Sequence, residues 1–241
     1  YKDWVMEAAA KHGLLPEELA GILNAETGAP EGTARWDPDS KGNGAHWGLG
    51  QFDRGTWERV ARMEGSELNK AALEKGLIEP GGKSGYRILN ADGLSQLRLD
   101  PELSIHATAE YYELNNKEFP PLETSEEVAE RAYAMHHDGL PGYKNLLTQT
   151  YHNEERYTKD FRLPAGVKSR IGQPIPDAQW EGKLLKQIKG KNQAARAEHY
   201  RQAGGGTHHG AYRAFLKERT NPELFRCTDA ELAAMIKPGA K

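Results

Sequence analysis

The sequence predicts a mainly α-helical protein with very little strand, built as a helical domain over 1–155 and a basic helical extension over 156–241. Three observations lead there. Apolar residues recur at the helical period through most of the chain. Capping residues, Pro and Gly stand where those stretches begin and end. Strand evidence is confined to a short stretch around 85–89.

Residues 4–12 put Trp4, Val5, Ala8 and Ala9 on one helical face, and 16–26 do the same with Leu19, Ile22 and Leu23. Helices are expected next over 55–63, 66–76, 101–116, 125–136 and 142–151. The third of these opens with Asp100-Pro101, a capping residue followed by Pro at the first helical position. Beyond residue 178 come stretches near 179–203, 208–219 and 228–236, broken by Gly204-Gly205-Gly206 and Asn221-Pro222. No period of about 20–50 residues repeats, which excludes a solenoid.

Mean hydropathy is −0.79, and no window of about 18 apolar residues exists to span a membrane. The chain carries 32 Lys+Arg against 35 Asp+Glu, a net −3, but the charges are unevenly placed. Residues 1–154 hold 15 basic and 26 acidic side chains, whereas 155–241 hold 17 and 9. Between these halves, Arg162-Leu163-Pro164-Ala165-Gly166 and Gly172-Gln173-Pro174-Ile175-Pro176 read as extended connection, because Pro disfavours helix at the residue before it. The domain boundary is therefore expected at 155–178. A single cysteine, Cys227, excludes an internal disulfide framework. The start at Tyr1-Lys2-Asp3-Trp4, without Met or an apolar leader, reads as a mature form or a piece of a longer protein.

Glu26 is the most informative residue. It lies seven places after Leu19, four after Ile22 and three after Leu23, so its carboxyl shares the apolar stripe of that helix. Thr27-Gly28 then supplies a helix stop. At such a place desolvation and the negative end of the helix dipole both disfavour the charged form, which is how a general acid keeps its proton. The same spacing allows a helix-terminal Glu that turns to solvent or pairs with Arg35. Glu17, nine residues earlier, falls on the opposite face and reads as a dipole-favoured charge at the helix start.

The segment from Trp36 to Asp53 is dense in Gly, Asp and Trp. Glycines let backbone approach a ligand, Trp offers a face to a sugar ring, and Asp37, Asp39 and Asp53 are available as second carboxylates. Structural loops with capping Asp and core Trp account for the same composition. Glu26-Thr27-Gly28, Gly42-Asn43-Gly44 and Gly48-Leu49-Gly50-Gln51-Phe52-Asp53 together resemble the goose-type lysozyme and soluble lytic transglycosylase superfamily. Its pattern is a catalytic Glu in E-S/T-x, a Gly-rich turn and G-L-M-Q. Two later segments resemble it as well: Asp100-Pro101-Glu102-Leu103-Ser104-Ile105, similar to a D-P-x-x-N-I helix start, and Ala134-Met135-His136-His137-Asp138-Gly139, similar to an A-Y-N-x-G substrate turn. The likeness covers about residues 4–151.

This resemblance implies a lysozyme-like α+β domain, very poor in strand, that cuts peptidoglycan between N-acetylmuramic acid and N-acetylglucosamine without a cofactor. Glu26 would protonate the leaving oxygen, Asp53 with Asp39 would activate water, and Gln51 and His137 would line the sugar cleft with Tyr133, whose place one helical turn before His136 fits a core tyrosine equally. An inverting hydrolase needs its two carboxyls about 6.5–9.5 Å apart, whereas a lytic transglycosylase works with Glu26 alone. Hydrolysis is the favoured expectation, with a non-catalytic glycan-binding module of a phage tail or secretion spike as the rival from another class. The chain departs from the pattern at Gly50, in the longer interval between Gly44 and Gly48, and at His136-His137, where the family has Tyr-Asn. The longer interval lets Asp37 compete with Asp39. Partners implied are glycan strands, an inhibitor or immunity protein, or a delivery apparatus, with action in the bacterial periplasm or cell wall. Neither nucleic acid nor a metal is expected, since His136-His137-Asp138 and His208-His209 lack metal-ligand spacing. Lys183, Lys186, Lys189, Lys191, Arg196 and Arg201 read as a solvated basic face, or as one that meets an anionic polymer or the acidic first domain.

Overall fold

Ten α-helices and two antiparallel pairs of short strands make up the described part of the computed structural model, which covers residues 1–27, 36–42, 44–159, 161–188 and 190–225. Gly28, Arg35, Asn43, Lys189, Cys227 and the helix expected over 228–236 lie outside those residues. The order is α1 (Lys2–His12), α2 (Pro16–Glu26), β1 (Lys41–Gly42), β2 (His46–Trp47), α3 (Arg54–Ala61), α4 (Glu67–Glu74), β3 (Ile78–Pro80), β4 (Tyr86–Ile88), α5 (Ala91–Gln96), α6 (Pro101–Asn116), α7 (Ser125–Thr148), α8 (Asp177–Gln187), α9 (Gln193–Ala203) and α10 (His208–Thr220). Short 3-10 turns follow α5 and α10. The mainly helical class is as expected. No helix among the described residues is long and apolar enough to cross a membrane.

Contacts divide the chain into two compact units. One holds Tyr1–Ala129 with the described residues from Pro222 onward, and the other holds Glu130–Asn221. The connection expected at 155–178 falls inside the second of these. The two helices expected at 125–136 and 142–151 both lie within α7, which is two helices divided by the non-helical Gly139 at φ 68 and ψ 170. Conversely, the stretch expected as one helix over 179–203 becomes α8 and α9. Gly190 at φ 113 and Asn192 at φ 64 take backbone conformations that no α-helix accommodates.

In the first unit, α1 packs on α6 and α2 through Val5, Ala8, Ala9, Leu19, Ile22, Leu23 and Ile105, all buried. A second cluster joins Phe52, Trp57, Val60, Leu68, Leu94, Leu103 and Tyr111. The Trp57 indole N–H donates to the Leu94 carbonyl at 2.9 Å, so this large core ring keeps its polar edge satisfied. Helix starts are fixed by side chains. Asp100 Oδ1 accepts from the Leu103 N–H at 3.1 Å with Pro101 at the first position, and Ser66 Oγ accepts from the Asn69 N–H at 3.0 Å.

The loop between α2 and α3 is held from beneath by Arg98, which is 4% exposed. Its guanidinium donates to the carbonyls of Ala45 at 3.0 Å, Phe52 at 2.9 Å and Ser95 at 3.1 Å. The same group lies 4.1 Å from the Trp47 ring centroid, and Lys41 Nζ lies 4.6 Å from that centroid, so two cations hold one indole. Ser104, on α6, accepts the Gly50 N–H at 2.8 Å. Gly48 sits at φ 76, where a Cβ would come within 1.7 Å of the Arg98 carbonyl oxygen.

In the second unit an aromatic core carries the packing. Trp180 lies 5.2 Å from Tyr157, 5.0 Å from the His209 ring and 6.0 Å from Tyr212, which in turn meets Phe215 at 5.9 Å. α10 packs on both α8 and α9.

The α1–α6 seam contains buried polar groups. Glu110, 1% exposed, accepts the Glu67 N–H through Oε1 at 2.7 Å. His12 bonds Glu113 Oε2 at 2.7 Å and lies 4.0 Å from Glu110. Burial raises the Glu110 carboxyl above the ordinary range, against the lowering effect of the Glu67 N–H and His12. A carboxyl with a raised folded value supports the fold while protonated, and that contribution is lost as pH rises through the folded value.

Two outcomes follow for this unit. Glu110→Gln keeps the acceptor for Glu67 and removes the ionisation, so its melting temperature should match wild type near pH 4 and exceed it near pH 8. A variant that is less stable at the higher pH contradicts the burial argument. Gly48→Ala should lose on the order of 2–4 kcal/mol in urea unfolding, through its left-handed backbone and the clash with the Arg98 carbonyl.

Candidate functional site

Glu26 is the last residue of α2, and Thr27 caps the helix. Leu19, Ile22, Leu23 and Ala25 fill the core, leaving Glu26 half-buried at the rim. Thr27 is buried and its hydroxyl donates back to the Leu23 carbonyl at 2.8 Å, which closes the last turn. Glu26 Oε1 is sealed from solvent and has no hydrogen-bond partner among the described residues. A buried carboxyl oxygen ordinarily has a hydrogen-bond partner. Trp36 stands beside this helix end, its indole N–H 3.4 Å from Asn24 Oδ1 and its ring 6.2 Å from Tyr1 and 6.3 Å from Phe225. Glu17 lies in the first turn of α2, as expected of a charge favoured by the helix dipole, and is 6% exposed with Oε2 unpartnered, because that turn is buried along its whole girth.

The Asp-rich loop enters through a tight turn. Asp37 Oδ1 accepts the Asp39 N–H at 3.0 Å, and the Asp37 carbonyl accepts the Ser40 N–H at 3.2 Å, so Asp37 shapes the backbone. Asp39 is exposed, and its carboxylate is left to solvent. β1 and β2 then pair antiparallel, Lys41 opposite Trp47 and Gly42 opposite His46. Gln51, at φ 46, turns its side-chain amide back into the loop: Nε2 donates to the Gly48 carbonyl at 2.7 Å and lies 3.4 Å from that of Ser40. It braces the hairpin. At Gly50, where the resembled pattern has Met, a Cβ would meet the Phe52 ring at 2.5 Å and the Thr108 hydroxyl at 2.7 Å.

Asp53 is exposed and caps α3. Its Oδ1 accepts the Thr56 N–H at 3.0 Å and its Oδ2 the Thr56 hydroxyl at 2.7 Å. Partial burial pushes this carboxyl up, but the Thr56 bonds, with the Gly55 N–H and the charge of His46, outweigh it and leave the group below the ordinary carboxylate range. It is thus an ionised carboxylate at neutral pH, with both oxygens engaged by Thr56 and acceptor capacity left over.

Tyr133 and His137 belong to the second unit. Tyr133 is 2% exposed, with its ring centroid 5.5 Å from that of His137, so it backs the imidazole from inside instead of presenting a face of its own. His137 Nδ1 lies 2.9 Å from Asp138 Oδ1. Lys183, expected on a solvated basic face, is 4% exposed and reaches Asp138 Oδ1 at 2.9 Å. Its position between Trp180 and Leu184 on the inner face of α8 explains the burial, and Asp138 supplies the compensating charge. Lys186, Lys191 and Arg196 are exposed, as a solvated face requires.

Sequence reasoning passed over Arg98 and Ser104, although a polar residue in the apolar stripe of Asp100-Pro101-Glu102-Leu103-Ser104-Ile105 was a visible signal. Among the described residues no three His, Cys, Asp or Glu side chains converge to hold a metal ion. In comparison with known proteins, the chain matches no protein-family model, and neither a curated protein nor a solved structure shows significant similarity to it.

Proposed function

We propose that the protein is a peptidoglycan muramidase, with Glu26 as the general acid of glycosidic cleavage. The observation that carries this reading is the unpartnered, solvent-sealed oxygen of Glu26 at the C-terminal end of a helix. A carboxyl at a helix end, with one oxygen that meets no described donor, is placed to reach a glycosidic oxygen, and donation of a proton to that oxygen is the first requirement of the reaction. The half-buried Trp36 and Trp47 nearby in the chain offer aromatic surface for sugar rings. The ordered resemblance of the Glu26, Gly48 to Asp53, Asp100 and His136 segments to goose-type lysozymes and lytic transglycosylases supports the same substrate. Such a substrate places the activity in the bacterial periplasm or cell wall.

Hydrolysis is the favoured outcome. Asp53, ionised and retaining acceptor capacity, would orient and activate the attacking water with help from the exposed Asp39. Water attack at the anomeric carbon would then break its bond to the leaving oxygen as Glu26 gives up its proton. His137 is the residue assigned to sugar contact in the second unit, and Gln51 acts by bracing the hairpin. A second reading, lytic transglycosylation, is favoured by one specific observation: capping of α3 already accounts for both oxygens of Asp53. In that reaction an internal hydroxyl of the sugar replaces water, and Glu26 suffices.

Glu26→Gln should keep the melting temperature and lower peptidoglycan turnover by at least about a hundredfold, the scale of a lost general acid. Intact activity in a folded variant rejects the assignment, and an inactive wild type on purified peptidoglycan favours a glycan-binding module instead. Asp53→Asn tests the second carboxylate cleanly, since Asn caps helices about as well as Asp and folding should be little changed. Mass spectrometry of the products then decides the reaction. Reducing ends from wild type and a loss of about a hundredfold or more in Asp53→Asn mark hydrolysis; anhydro ends with a mild effect mark transglycosylation.

A further inference from the structure

We propose that the Trp36 ring and the side-chain amide of Asn24 form a binding subsite for one N-acetylhexosamine ring, beside the bond that Glu26 would cleave and not at it. The proposal rests on the muramidase reading for the class of sugar. Its residues all lie in the first unit, as Glu26 does.

Trp36 is a bulky residue at φ 60, in the left-handed region. Strained backbone of this kind persists only where its surroundings hold it, and it collects at sites that clamp ligands. Here the indole N–H lies 3.4 Å from Asn24 Oδ1, and the Tyr1 ring stacks at 6.2 Å with 20° between the planes. Phe225 reaches the ring at 6.3 Å from the 3-10 turn Pro222–Phe225, which packs on α2. Tyr1 in turn meets Trp4 at 6.0 Å. Trp4, Trp36 and Phe225 are half-buried and Tyr1 is 46% exposed, so four linked rings keep apolar surface in water. Such a contiguous patch marks a place where something binds.

The chemistry selects a neutral, amphipathic ring. Trp47 has two cations against its indole, Arg98 at 4.1 Å and Lys41 at 4.6 Å, whereas Trp36 has none among the described residues. A pyranose has an apolar face of C–H bonds that suits an aromatic surface, and polar groups around its edge. Asn24 supplies the edge contact. Its oxygen faces the indole N–H, which leaves the amide nitrogen with two donors and no partner among the described residues, fit for an acetamido carbonyl. Asn24 and Glu26 are two places apart on α2, about 200° around the helix axis and about 3 Å along it. A sugar held on Trp36 is therefore a neighbour along the strand of the ring that Glu26 would act on.

The test uses the full chain carrying Glu26→Gln, so that ligand is not consumed, with chitotetraose as the probe. Titration should shift the NMR signal of the Trp36 indole N–H. Adding Trp36→Leu, which keeps apolar bulk, should raise the Kd about tenfold with the melting temperature within about 5 °C. Adding Asn24→Asp keeps an oxygen for the indole and removes the donor, and should raise the Kd about fivefold. A Trp36 signal that stays still on titration overturns the proposal, and this readout needs no variant at position 36 to fold. A Kd unchanged by either substitution overturns it too. If wild type leaves peptidoglycan intact while chitotetraose still binds through Trp36, the muramidase reading fails and the subsite stands.

Discussion

A single buried guanidinium organises the loop on which the proposed chemistry depends. Arg98 serves carbonyls at Ala45, Phe52 and Ser95, so it ties the β1–β2 hairpin, the strand-like exit before α3 and the end of α5 to one point. Such a loop has few backbone partners of its own, and each buried carbonyl left without a donor would cost about 1–3 kcal/mol. Only Arg carries enough donors in one rigid fork to meet that demand. Trp47 on the Arg98 face, Ser104 beneath Gly50 and the glycine required at position 48 are all consequences of that anchor. The Asp37 turn and the Gln51 brace fold back onto the same hairpin, which fixes the backbone on either side of Asp39 and ahead of Asp53.

The second unit solves a similar problem with the opposite charge at its centre. Asp138 stands just before Gly139 departs from helical geometry, where an ionised carboxylate has no helical N–H to satisfy it. Lys183 and Tyr212 arrive from α8 and α10 to do so. The basic extension is therefore not uniform in purpose. Lys183 is buried beside an acid, whereas Lys186, Lys191 and Arg196 remain in solvent.

Four carboxylates show how environment divides one functional group into several. Asp138 is held ionised by a neighbouring cation, and Asp53 by the hydrogen bonds of Thr56. Glu110 is pushed toward its neutral form by burial. Glu26 keeps an oxygen that no described donor meets. Of these, Glu26 alone combines an unmet oxygen with a place at the rim, half-buried and at the end of its helix. An acid that must release its proton to an incoming oxygen needs both features.

Periodicity and capping made α1, α2 and α6 legible, because the apolar stripe of Leu19, Ile22 and Leu23 and the Asp100-Pro101 start are local signals. The same stripe, followed by Thr27-Gly28, puts Glu26 at the end of its helix. The Gly-rich segment was legible as a loop, but not the bond from the Gln51 amide to the Gly48 carbonyl or the placement of the buried Tyr133 against His137. What only the tertiary structure decided is which charges are buried. Lys183 and Lys186 look alike in sequence, and so do Arg98 and its exposed neighbours along the chain. Whether a charge can leave water depends on a partner 45 to 53 positions away: Ala45 and Phe52 for Arg98, Asp138 for Lys183. No window of local sequence contains both members of such a pair, so period and capping set where most helices run, and packing alone set which charges lie inside.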